Sequence, residues 1–281
     1  MTPSTRPSKP KAAALADIQS TPDRRNIAID RVGVSDLRYP IVVRDRARQT
    51  QQTVATLSLS VALPSHFKGT HMSRFVEVLN AHQRPFHIQA LYEMLHELKK
   101  KLHAETARIE LSFPYFLARK APVTGAEGLM DYECGFEAES NGTWDDVVVR
   151  VKVPVKTLCP CSKAISEYGA HNQRGIVDIA IRPAARPDGT RELVWIEDLV
   201  EVAERSGSAP VYSLLKRPDE RYVTMQAFEN PAFVEDVVRN VAAQLRDDPR
   251  VAWFRVHVVN QESIHNHSAF ARIEWTRPDV G

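Results

Sequence analysis

Valines at 147, 149, 151, 153 and 155 alternate with Val148, Arg150, Lys152 and Pro154, a period of two that predicts a strand over 146–156 with one buried face. The same alternation predicts strands at Ile41–Arg44 and through Ala55, Leu57, Leu59, Val61 and Leu63. Further strands are expected at Ile109–Phe113, at 131–139 before the polar turn Ser140-Asn-Gly142, and at Ile176–Arg182 ahead of Pro183. Val251–Asn260 and Ala269–Thr276 complete the set. Helical spacing replaces alternation at Met72, Phe75, Val76 and Leu79, and again at Leu91, Met94, Leu95, Leu98 and Leu102. It recurs at Ile196, Leu199, Val200 and Ala203, and, after Asn230-Pro231, at Phe233, Val234, Val237, Val238, Val241 and Leu245. The order ββααββ therefore occurs twice without evident sequence identity. It predicts an α+β fold of antiparallel sheets with helices on one face, whose open strand edges need covering.

The pattern assigns 1–35 to a disordered tail, 36–142 to a first module and 143–281 to a second. With 281 residues, 43% of them hydrophobic, the chain is long enough for a large core. Its 37 basic and 35 acidic residues balance to +2, which gives no basis for a nucleic-acid or membrane-attracted surface. No apolar run reaches the roughly 20 residues that cross a bilayer. The first 17 residues lack a signal-type apolar region and contain Pro3, Pro7 and Pro10, so a cytoplasmic location is expected. Three cysteines, an odd number, fit free or metal-bound thiols in a reducing compartment better than disulfides.

The valine strand runs into Leu158-Cys-Pro-Cys-Ser-Lys163, with His171 following. Cys159 and Cys161 are thus stiffly held thiols near an imidazole, which suits nucleophilic or metal chemistry. They read equally as two ordinary thiols, while Cys134 reads as a small buried apolar residue. Glu262, His265 and His267 lie within Asn260–Ala269, either a polar connection or a cluster for metal binding and proton transfer. In Leu214–Val223, a solvated charged loop is one reading. The other has Glu220 as an oxygen ligand and Lys216 with Arg217 facing phosphates. Glu235 sits near the start of the last helix, where a negative charge is favourable. No P-loop or Rossmann glycine pattern is present.

Taken together, Leu158–Lys163, His171-Asn-Gln-Arg-Gly175, Leu214-Leu-Lys-Arg-Pro-Asp-Glu220 and Glu262-Ser-Ile-His-Asn-His-Ser268 resemble GTP cyclohydrolase IB, the metal-dependent type of GTP cyclohydrolase I. The resemblance implies a bimodular tunnelling fold, a homotetramer, and conversion of GTP and water to 7,8-dihydroneopterin triphosphate and formate at the entry to pterin and tetrahydrofolate synthesis. It implies Cys159, Glu220 and His265 as ligands of a divalent transition metal, Zn, Mn or Fe. Cys159, Cys161, His171 and His267 would be catalytic, with Glu262 supporting them. Glu235 would anchor the purine edge, and Lys216 and Arg217, with Lys163 and Arg174 as further choices, the triphosphate. A nitrile reductase of the same fold, with a cysteine nucleophile and NADPH, is the alternative enzyme; a non-catalytic pterin- or purine-binding protein is the alternative outside catalysis. The Glu262, His265 and His267 cluster favours the cyclohydrolase, since thioimide chemistry needs no metal.

Overall fold

In the computed structural model, which describes residues 17–19, 21–82 and 84–278, the alternating stretches pair into one antiparallel sheet. The first half supplies β1 (Ile29–Asp45), β2 (Gln49–Leu63), β3 (Ala107–Lys120) and β4 (Glu127–Ser140), with α1 (Met72–Ala81) and α2 (Ile88–Leu102) between β2 and β3. The second supplies β5 (Asp145–Leu158), α3 (Pro160–Ile165), β6 (Asn172–Pro183), α4 (Ile196–Ser206), the two-residue β7 (Ala209–Pro210), α5 (Arg217–Glu229), α6 (Val234–Asp247), β8 (Val251–Gln261) and β9 (Ser268–Thr276). Across the sheet the order is β1-β2-β3-β4-β5-β6-β8-β9, and β7 pairs with β5. The predicted ββααββ order is thus present in both halves, with α3, β7 and α5 added to the second. Among the described residues no helix is long and apolar enough to cross a membrane.

Burial follows the alternation. The odd-numbered valines of β5 are at most 1% exposed, and each contributes about 1.5–3 kcal/mol when fully buried. They join Leu57, Leu59 and Ile109 of the first half and Leu95, Val200 and Val241 from the helices in one continuous core. The intervening β5 residues are paired across strands: Arg150 donates to Glu137 at 3.2 Å and to Asp178 at 2.9 Å, and Lys152 to Glu133 at 2.6 Å. Hence helices cover one face and a charged ladder occupies the other.

Three expectations change. Residues 1–16 and 20 of the stretch assigned to a tail lie outside the described residues, but the remainder is structured: Pro22 bridges to Phe67 and β1 begins at Ile29. The outer half of β1 escapes a period-2 reading because the register shifts between Val34 and Leu37, with Asp36 at φ 57°. That bulge moves the inward positions from Val32 and Val34 to Leu37, Tyr39, Ile41 and Val43. Here Gly33 is required by crowding, since a Cβ would stand 1.9 Å from the Leu59 carbonyl oxygen. The charged stretch read as a loop is helix α5, whose buried stripe is only Asp219, Val223 and Ala227. A stripe that narrow, opening on a carboxylate, gives little hydrophobic periodicity. The Cys-Pro-Cys turn is the start of α3, where Pro160 fits because the first helical turn needs no N–H partner. The module boundary at 142/143 falls in the β4–β5 turn, across which sheet and core are continuous.

His82, the residue after α1, buries Nε2 with no partner among the described residues, its ring 4.9 Å from that of Phe86, and burial lowers its pKa from the usual imidazole value. In the unfolded chain it gains a proton as pH falls through about 6.5, whereas in the fold it does so only at lower pH. Stability is therefore lost as pH falls through that window. His82→Leu should flatten this part of the slope in urea midpoints measured at pH 7, 6 and 5; an unchanged slope would show that His82 titrates freely in the fold.

Candidate active site

The predicted site residues gather at one end of the second half of the sheet, and strand pairing places them there. The β5–β6 ladder ends at Leu158 opposite Asn172, and one residue further the Cys159 N–H donates to the His171 carbonyl at 3.3 Å. The backbone thereby sets Cys159 opposite His171. Cys159 also caps α3, its Sγ accepting from the Ser162 N–H at 3.4 Å, while the Ser162 hydroxyl accepts from the His171 N–H at 3.2 Å. Cys161 is exposed two residues on, in the first turn of α3, and Cys134 is buried in the core as expected.

On the far side of β6, Arg174 pairs with Gln261, from which the loop 262–267 emerges before β9. Ser263 Oγ lies 3.3 Å from His171 Nδ1, which leaves Nε2 as the ring nitrogen available for chemistry. Glu262 accepts from the Gln173 amide at 3.2 Å. His265 and His267 are exposed and stack with ring centroids 5.1 Å apart. Ser162, Gln173 and Ser263 lie within the motifs, where the sequence alone offers them no role. Only their hydrogen bonds reveal one.

Helices α5 and α6 close on the same end. The Ala232 N–H donates to the Leu158 carbonyl at 3.1 Å, which sets the first turn of α6, with exposed Glu235, against the end of β5. Lys163 lies 4.4 Å over the Phe228 ring and ties α3 to α5. Glu220 lines a cavity of about 430 Å³ with Lys156, Gln173, Arg174 and Tyr212. Burial lowers the pKa of the Lys156 ammonium there. Lys216 and Arg217 are exposed at the start of α5 and do not line this cavity, whereas Arg174 and the unpredicted Lys156 do. Lys156 was hidden because it continues the polar positions of β5 and looked like any outward-facing residue.

The donor types suit a divalent transition metal. Among the described residues, however, no three of His, Cys, Asp and Glu converge as a coordination set. Cys159, Glu220 and His265 share the sheet end but remain distributed over the end of β5, α5 and the β8–β9 loop.

A single antiparallel sheet backed by helices, with thiols, imidazoles and carboxylates at one strand end, defines a tunnelling-fold protein with an enzyme-like site. The solved structures agree in fold: uricase from Arthrobacter globiformis superposes with a TM-score of 0.54 at 10% identity, covering 89% of this chain and 94% of that one. Urate oxidase from Bacillus sp. TB-90 gives 0.53 at 10% identity, covering 89% and 100%. The family is fixed by sequence. Residues 15–271 match the model for type I GTP cyclohydrolase FolE2, and the chain belongs to that family. Relatives named GTP cyclohydrolase FolE2 include those of Halorhodospira halophila, 52% identical over 92% of this chain and 98% of that protein, and Methylococcus capsulatus, 53% identical over 93% and 95%.

Behind the site, buried polar atoms of Thr157, Gln173 and Asn260 have no partner among the described residues, and Gly175 lies beside Thr157 and Asn260. A Cβ at Gly175 would stand 2.8 Å from Asn260 Oδ1 and 3.0 Å from Val155 Cγ2. Gly175→Ala should therefore cost about 1–3 kcal/mol through overpacking, read as a lower denaturant midpoint at constant slope. Wild-type stability would show that the strand ends shift freely.

Proposed function

We propose that this protein is a GTP cyclohydrolase that converts GTP and water to 7,8-dihydroneopterin triphosphate and formate, the entry to pterin and tetrahydrofolate synthesis. The observation that carries this reading is the family match over residues 15–271. The motifs that resemble type IB meet at one sheet end, which supports the assignment to the metal-dependent type.

In that reading Cys159, Glu220 and His265 would hold a divalent transition metal, Zn, Mn or Fe, which when bound lowers the pKa of a water toward neutrality. The remaining residues work on binding and protons. Glu235 accepts two N–H bonds from the guanine edge and so fixes C8, an orienting effect worth several orders of magnitude in effective concentration. Opening the five-membered ring requires protons at its nitrogens, which His171 or His267 delivers as general acid. Cys161 beside Cys159, and Glu262 through Gln173, keep these groups in register. Lys156 and Arg174 in the cavity are better placed than Lys216 and Arg217 to meet a triphosphate.

A second copy of the chain, and a homotetramer in full, fits two observations. Among the described residues, strands β1 and β9 end the sheet with unpaired edges, and large apolar side chains near the site are exposed, Tyr168 at 98%, Ile165 at 85% and Phe270 at 71%. Modules 36–142, extended back to Ile29 by the full length of β1, and 143–281 are the units we assign to the repeat.

Protein reconstituted with Zn, Mn or Fe(II) should release formate from GTP and yield a pterin that fluoresces after oxidation. Absence of both products with all three metals would refute the activity. Cys159→Ala should abolish turnover, whereas a binding protein would lose nothing. Glu235→Ala should weaken GTP binding about 10–100-fold, the scale of hydrogen bonds to a charged group, with calorimetry as the readout; unchanged affinity would remove Glu235 from the purine edge.

A further inference from the structure

The carboxylate of Asp219 is fully buried and accepts four hydrogen bonds. Oδ1 accepts from the backbone N–H groups of Val123 at 2.8 Å and Thr124 at 2.9 Å, and Oδ2 from the Thr124 hydroxyl at 2.7 Å and the Lys216 N–H at 2.9 Å. Three of these donors belong to the tip of the β3–β4 hairpin in the first half of the chain. The fourth is the N–H of Lys216, the residue that caps α5 in the second half. Asp219 therefore joins the hairpin tip of the first half to the start of α5 in the second.

The hairpin is built to reach this point. Strand β4 pairs with β5 only as far as Glu133 opposite Lys152, while β3 and β4 stay paired out to Lys120 opposite Glu127. Beyond the sheet they form an arm. Its base is braced on α4: the Tyr132 hydroxyl donates to Glu204 at 2.8 Å, Arg119 to the same carboxylate at 2.8 Å, and the Tyr115 hydroxyl to Glu197 at 2.8 Å. Further out, Gly128 passes so close to Ser213 that a Cβ would stand 2.5 Å from its Oγ. An arm held at its base and along its length presents Val123 and Thr124 at a fixed place, and Asp219 transmits that place to α5.

We propose that Asp219 is a positioning residue for the site: by fastening the start of α5 to the tip of the β3–β4 arm, it sets where Glu220, the next residue, stands in the cavity wall. The helix needs such a tether, since its buried stripe is only Asp219, Val223 and Ala227. This rests on the reading in which Glu220 serves the reaction, so the test separates the two ideas. Asparagine at 219 keeps one oxygen for the hairpin N–H pair but turns an NH2 toward the Lys216 N–H, a donor facing a donor.

Asp219→Asn should raise amide exchange across residues 216–221 and lower kcat/KM for GTP about 10–100-fold, the scale seen when a residue orienting a ligand is lost, with the loss in kcat. Thr124→Val, which removes one bond and leaves the carboxylate in place, should give a smaller loss in the same direction, and Thr124→Ser, which keeps the hydroxyl, should restore wild-type values. If Asp219→Asn fails to fold, the Thr124 pair carries the test. Unchanged exchange at 216–221, full activity in Asp219→Asn beside an inactive Glu220→Ala, or identical behaviour of the two Thr124 variants would each overturn the proposal. Full activity in Glu220→Ala would instead refute the role of Glu220, and the exchange result would still report on the tether.

Discussion

The register of β5 is the constraint on which the rest depends. This strand lies at the centre of the sheet, pairs with β4 on one edge and β6 on the other, and places five valines on the core face with charged residues between them. A slip of one residue would exchange the two faces, exposing the valines and burying Arg150 and Lys152 without Glu137, Asp178 and Glu133. Burial and ion pairing thus enforce a single register. That register ends the β5–β6 ladder at Leu158 and Asn172, and so decides that Cys159 meets His171. It also fixes β6 against β8, with Gly175 opposite Asn260, which sets the origin of the 262–267 loop. The chemistry at the sheet end is a consequence of packing in the sheet middle.

Where one periodicity persisted over a whole element, the sequence was legible. Strands β2, β5, β6, β8 and β9, the inner parts of β3 and β4, and helices α1, α2, α4 and α6 were expected from such stripes, because each is stabilised mainly by one apolar face against a common core. Legibility failed where something other than an apolar stripe holds the chain. The outer part of β1 changes phase at the bulge near Asp36, α3 is a single short segment capped by a thiol, and α5 is held by a buried carboxylate. In the site, motif spacing located the residues but not their relations. Ser263 beside His171 and Gln173 beside Glu262 are contacts between segments about 90 positions apart in sequence, for which one chain offers no local signal. Lys156 was concealed by the regularity of its own strand.

The two halves contribute unequally. The motifs that carry the family resemblance lie in the second half, yet the first half reaches across with the β3–β4 arm and grips α4 and α5 through Glu197, Glu204 and Asp219. Burial alone pushes the Asp219 carboxyl up in pKa, but the bonds from Thr124, Lys216 and Val123 outweigh it and hold the group well below the usual carboxylate range. A charged acceptor in a water-excluded position, with every donor supplied, is directional in a way that apolar packing is not.

This difference explains the choice of a carboxylate over another leucine at that point. Two walls of the site, at the ends of β5 and β6, inherit their rigidity from the ladder, whereas α5 stands beside the short β7 where the sheet has lost β4. A hydrophobic contact would keep α5 on the protein but tolerate sliding by part of a turn, since it depends on area and not direction. Four converging hydrogen bonds fix both position and rotation of the helix start, so that the residue following Asp219 faces the cavity. The first half, without a motif residue of its own, thereby shares in the geometry of the site.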